Sequence, residues 1–88
     1  MGNGVLVREG LKGFEFTYSS LTLTPNGYLF VNLPHELEGK TIYAISWVTW
    51  ETAGVPPTGC ALYENDQFII YGVGSELYTN FKIRFIYQ

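Results

Sequence analysis

Apolar side chains along this chain recur at alternate positions, in short runs that glycine, proline and asparagine interrupt. No window repeats them at the i, i+3, i+4, i+7 spacing of an amphipathic helix, so the pattern predicts antiparallel strands. Gly4–Glu9 reads as the first strand. In Phe14–Ser20, Phe14, Phe16 and Tyr18 share one face and Glu15, Thr17 and Ser19 the other; Leu21–Thr24 continues with Leu21 and Leu23 set against Thr22 and Thr24. Tyr28–Leu33 follows Pro25-Asn26-Gly27, and Asn-Gly between apolar runs is a strong hairpin signal. Pro34–Lys40 reads as a loop with one helical turn. Cys60–Glu64 and Gln67–Gly72 form a second hairpin about Asn65-Asp66. Phe81–Tyr87 closes the chain, with Phe81, Ile83, Phe85 and Tyr87 inward and Lys82 and Arg84 outward. Glu51–Gly59 and Val73–Asn80 are expected loops.

The longest run, Thr41–Trp50, is apolar in both parities. Strict alternation sets Tyr43, Ile45 and Trp47 on one face and Ile42, Ala44, Val48 and Trp50 on the other. A strand apolar on both faces is covered on both. One cover is the second sheet, and the other is expected to be another subunit, which makes Ile42, Tyr43, Ala44, Trp47 and Val48 the candidate oligomer interface. Seven or eight short strands with closely spaced turns predict an all-β fold, a small antiparallel β-sandwich or jelly-roll-like domain spanning residues 1–88. The opening Met1–Gly4 reads as an added start and Gln88 as a natural end, so the expectation is the C-terminal domain of a longer chain.

Composition sharpens this picture. Only 15% of the 88 residues are charged and 17% are aromatic. A domain this small buries roughly 60–65% of its unfolded surface, too little to hide so many rings. Small domains usually find support in disulfides, metal or oligomerisation. Cys60 is the single cysteine and His35 the single histidine, which leaves oligomerisation. A net charge of −3, with Arg8, Lys12, Lys40, Lys82 and Arg84 scattered, argues against nucleic-acid partners and anionic lipid. No signal-peptide pattern and no run of apolar residues long enough to span a bilayer is present.

Catalytic chemistry finds little to use. His35 has no nucleophile motif near it, and Cys60 has no partner cysteine and reads as a small buried hydrophobe. Glu36, Glu38, Glu51, Glu64, Asp66 and Glu76 fall mostly in expected turns, without a pair set apart for acid–base work. The Gly-x-Gly of Tyr71–Glu76 lacks the third glycine and helix of a phosphate loop. The expectation is a non-enzyme that needs no cofactor. Sugar binding is the sharper alternative, because sugars stack on exposed rings: Trp50, Glu51, Thr52, Thr58, Tyr63 and Tyr78 are the candidate ligand or receptor contacts. Trp47 and Trp50 lie three apart and face opposite ways on a regular strand, so they form one platform only across a bulge.

The rhythm of this chain resembles the small all-β C-terminal domains of bacteriophage tail fibres and prophage minor tail proteins. The resemblance runs from Gly13 to Gln88, through the Asn-Gly turn, "GYLFVNLP", "TIYAISWVTW", the "CALYENDQFIIYG" hairpin and the final "NFKIRFIYQ". It implies a homotrimeric knob at a fibre tip, capping the shaft or touching a host-surface glycan or protein. It implies synthesis in a bacterial cytoplasm and residence in the virion tail, and it carries over no catalytic residue. The glycine-rich shaft or chaperone-like segment that often precedes such a module is not in this sequence.

Overall fold

The computed structural model describes residues 10–64 and 66–88; the expected Gly4–Glu9 strand and Asn65 lie outside them. Six strands are described: β1 Lys12–Thr22, β2 Tyr28–Asn32, β3 Ile42–Glu51, β4 Gly59–Glu64, β5 Gln67–Tyr71 and β6 Leu77–Tyr87, with one 3-10 turn at His35–Leu37. They form two three-stranded sheets, ordered β1-β6-β3 and β2-β5-β4, antiparallel throughout. The fold is the small all-β sandwich that the alternation predicts.

The two central strands supply the middle of the core. Phe81, Ile83 and Phe85 of β6 and Phe68 and Ile70 of β5 are fully buried, while Arg84 between them is exposed and Lys82 partly so. Phe85 meets Phe68 edge-on at 5.7 Å between ring centres. Leu21, Leu23, Val31, Leu37 and Tyr78 complete the same cluster. Phe14, Phe16 and Tyr18 line the inner side of β1, and Tyr18 reaches Phe68 at 5.9 Å. Its hydroxyl donates to the Asn32 carbonyl oxygen at 3.0 Å, joining one sheet to the other.

A paired irregularity merges two of the expected runs. The β1–β6 register goes from Tyr18 opposite Phe81 to Ser20 opposite Thr79, so Ser19 and Asn80 drop out of the ladder. Asn80 takes a left-handed φ of 47°, which asparagine tolerates better than most residues. Both strands change phase there. Leu21 therefore points into the same core as Tyr18, three residues away, and Phe14–Thr22 is one continuous strand. The same shift draws Leu77–Asn80 out of the expected loop and into β6.

The Asn-Gly turn is real, but the hairpin expected from it is not. Gly27 has a φ of 87°; its amide donates to the Thr24 carbonyl at 2.9 Å, and the Thr24 amide donates to that of Tyr28 at 2.8 Å. The flanking strands then part, because β1 pairs with β6 and β2 with β5. Other partners take the backbone groups that a β1–β2 ladder would use. The Leu23 amide donates to Glu76 O at 2.9 Å, Ser75 to Thr24 O at 3.0 Å, and Gly72 to Gly27 O at 2.8 Å. The turn is thus the corner from one sheet to the other. The β4–β5 hairpin forms as expected, with Glu64 opposite Gln67.

Strict alternation also fails along β3. Its register against β6 shifts between Ile42 and Ala44, between Trp47 and Thr49, and between Thr49 and Glu51. Each bulge rephases the side chains. Ile42, Ile45, Trp47 and Trp50 all pack on the core, while Tyr43, Ala44 and Val48 are exposed. The parity split of the sequence reading is corrected on this point.

The close approach at the corner yields a test. A Cβ on Gly27 would lie 2.5 Å from Gly72 O, whereas one on Gly39, at a similar φ of 78°, would meet nothing within 4 Å. Gly27→Ala should lower the unfolding free energy in urea by roughly 1–3 kcal/mol, and Gly39→Ala by clearly less. Equal losses would show that backbone strain alone, without the clash, governs both sites.

Candidate functional site

The end of β3 and the loop after it hold most of the expected contact residues. Trp50 is half-buried. Its indole Nε1 donates to the Ala53 carbonyl at 3.0 Å, and its ring stands edge-on to Trp47 at 5.1 Å and to Tyr78 at 6.4 Å. The bulges of β3 bring the two tryptophans to one side, and that side is the core. Tyr78 is fully buried; its ring abuts Phe81 at 5.1 Å and its hydroxyl donates to Val55 O at 3.1 Å. Tyr78 is therefore corrected from surface contact to core residue. The sequence pattern sets it in a loop, whereas the phase change at Asn80 turns it inward.

Glu51 and Thr52 of this corner are tied to β6 by their side chains, and Thr58 to β5 by its backbone. Glu51 Oε1 accepts from Asn80 Nδ2 at 2.8 Å. Thr52, at a strained φ of 79°, sets its hydroxyl 2.6 Å from that of Thr79. Thr58 is exposed, and its amide donates to Tyr71 O at 2.9 Å. The corner is a lock that holds the β3–β4 loop against β6. One of the two Glu51 carboxylate oxygens is thus engaged from within.

Tyr63 lies apart from these residues, five positions beyond Thr58 and about 16 Å away along an extended strand. It belongs to the outer face of the β2-β5-β4 sheet. Register places Tyr28 opposite Tyr71 and Tyr71 opposite Gly59 in one row, and Phe30, Ile69 and Ala61 in the next. Phe30 meets Tyr63 at 4.6 Å and Tyr28 at 5.6 Å between ring centres. Ile69 is only 8% exposed, yet it stands outside the core cluster. The rings of its own outer face cover it. Phe30, Tyr63 and Tyr71 remain 42%, 52% and 44% exposed. The sequence reading overlooked Tyr28, Phe30 and Ile69, although Tyr28–Leu33 and Gln67–Gly72 carry apolar residues in both parities, the same signal that drew attention to Thr41–Trp50.

The other sheet's outer face is polar in its middle rows, with the apolar row Gly13–Ile86–Ala44 at one end. Arg84 Nε and Nη2 donate to Glu15 Oε2 at 3.0 and 2.7 Å, and Lys82 Nζ lies 4.0 Å from Glu15 Oε1. Ser46 and Thr49 continue these rows onto β3. The candidate interface set is thereby divided. Ile42 and Trp47 face the core; Ala44, Val48 and Tyr43 are exposed at the edge, where the Tyr43 hydroxyl donates to Gln88 Oε1 at 2.9 Å.

His35 is a surface residue 3.8 Å from Glu38. Cys60 is half-buried with its thiol directed at Ile45 O, 3.8 Å away, and burial raises its pKa. Among the described residues no three His, Cys, Asp or Glu side chains gather as a metal site would require, and no helix is long and apolar enough to cross a membrane. An open cleft of about 600 Å³ lies between the start of β3 and the end of β4, with Lys40, Tyr63 and Glu64 on its walls. A scan against protein-family models finds no match, and neither curated proteins nor solved structures return a significant one.

Two phenols make stability depend on alkali. Burial, and secondarily the Glu36 carboxylate, push Tyr18 well above the ordinary tyrosine range; burial and then Glu76 push Tyr78 up as well. The folded state favours the protonated phenols. Their contribution is complete below the unfolded pKa of about 10 and is lost as pH rises through the higher folded values. Urea midpoints should hold steady to about pH 10 and then fall, and Tyr18→Phe should flatten the fall. An unchanged alkaline limb in that variant would remove Tyr18 from the account.

Proposed function

We propose that this domain is a non-enzymatic assembly and receptor-binding module, forming the homotrimeric tip or cap of a tailed-phage or prophage fibre in the virion tail. The observation that carries the reading is the surface itself. Among the described residues, nine large apolar side chains are each more than a third exposed, on a chain that is only 15% charged. Such a surface suits a permanent subunit contact, which resembles a core cut in half. The fibre assignment draws on the resemblance in strand rhythm and on the small sandwich that a knob requires. Light scattering at micromolar concentration should return a mass near three times the 10.0 kDa chain; a stable, folded monomer would overturn the reading.

A carbohydrate-binding module is the second reading, and the cleft lined by Lys40, Tyr63 and Glu64 favours it. The informative substitution is at Tyr63, since the Trp50 ring packs on the core. A glycan array positive for the wild type and silent for Tyr63→Ala, with Trp50→Phe still positive, would support sugar binding. An array silent for the wild type would remove it.

A further inference from the structure

We infer that copies of this chain meet through the outer face of the β2-β5-β4 sheet, with Phe30 and Tyr63 at the centre of the contact, and not through the exposed side of β3. The inference rests on the assembly reading above and specifies its surface. The two outer faces of the sandwich differ in kind. On the β1-β6-β3 side, Glu15 is satisfied by Arg84 and Lys82, and the hydroxyl residues beside them suit water. On the β2-β5-β4 side, two successive rows, Tyr28–Tyr71–Gly59 and Phe30–Ile69–Ala61, carry no charge. In the row beyond, Gln67 Nε2 donates to Asn32 Oδ1 at 3.0 Å, so these amides engage each other, and Glu64 stands at the rim.

This chemistry selects a second copy as the occupant. An uncharged face meets its own copy without like-charge repulsion, whereas a strongly charged partner finds nothing to pair with. The rings are tilted, Phe30 to Tyr63 by 54° and Tyr28 to Phe30 by 75°. They make a ridged surface into which other ring edges fit, not a flat bed for a run of sugar rings. At about 200 Å² per aromatic side chain, the half-exposed Phe30, Tyr63 and Tyr71 present roughly 300 Å² of ring surface. A stable interface needs about 800 Å² per partner. The rings are thus the centre of a contact whose remainder comes from flanking surface such as the neighbouring Asn32–Gln67 row. A ring of three closes through heterologous contacts, so in a trimer the rings lie at the common axis and each copy's rings touch the flanking surface of the next.

Light scattering and sedimentation of Phe30→Lys, Tyr63→Lys and, as comparison, Val48→Lys test this surface, with circular dichroism to confirm folding. All three side chains are exposed in the isolated chain. The two outer-face variants should lose the assembly, a threefold drop in mass, and the β3 variant should keep it. An assembled wild type that Phe30→Lys and Tyr63→Lys leave intact overturns this inference alone; a monomeric wild type overturns it together with the assembly reading. If the lysine variants fail to fold, tyrosine nitration of the assembled wild type decides. Tyr63 and Tyr71 should react more slowly than Tyr43, which is 50% exposed, and equal reactivity would overturn the inference.

Discussion

The packing of β6 against β5 across the middle of the sandwich is the contact on which the other features depend. These two strands are paired on both sides within their sheets, so their inward residues are shielded along the sheet as well as across the sandwich. Phe81, Ile83 and Phe85 meet Phe68 and Ile70 with no exposed surface remaining. Burying each such side chain stabilises the fold by about 1.5–3 kcal/mol, and in a chain this short few residues are buried so completely. Edge strands β1 and β3 contribute half-buried rings laid over this centre. Their position follows from the central strands.

Filling that centre requires departures from regular strand geometry. Tyr78 reaches the core only because β6 changes phase at Asn80. Once buried, its phenol needs a partner, and it takes the Val55 carbonyl. That bond and the Trp50 indole bond to Ala53 tie down the β3–β4 loop. Glu51 and Thr52 add ties to Asn80 and Thr79 from the surface. One irregularity thus shapes both the core and the loop that looked most like a binding site. The polar groups there are internal fasteners.

The outer faces bear on function because the core does not use them. One carries an exposed carboxylate–guanidinium pair that contributes little to stability and keeps the surface wet. The other carries tyrosine and phenylalanine rings that cover an isoleucine, leaving apolar area open. A sandwich with one wet face and one aromatic face is polarised, and that polarity is the feature an assembly or recognition module would use.

Much of the architecture was legible in the residue pattern. Alternation in Phe14–Tyr18 and Phe81–Tyr87, the β4–β5 hairpin, the helical turn at His35–Leu37 and the all-β sandwich follow from period-two burial and local turn chemistry, which act between near neighbours. The partners of the strands did not follow. Asn26-Gly27 specifies a tight turn, but only the competing bonds from Gly72, Ser75 and Glu76 decide that it joins two sheets instead of two paired strands. Alternation likewise puts Trp47 and Trp50 on opposite faces where the structure turns both to the core, because a bulge leaves no mark in a period-two pattern and depends on the register of the neighbouring strand. Local sequence determined which segments extend and where they turn. Tertiary pairing decided which of their two apolar sides became core and which, around Phe30 and Tyr63, stayed exposed to solvent.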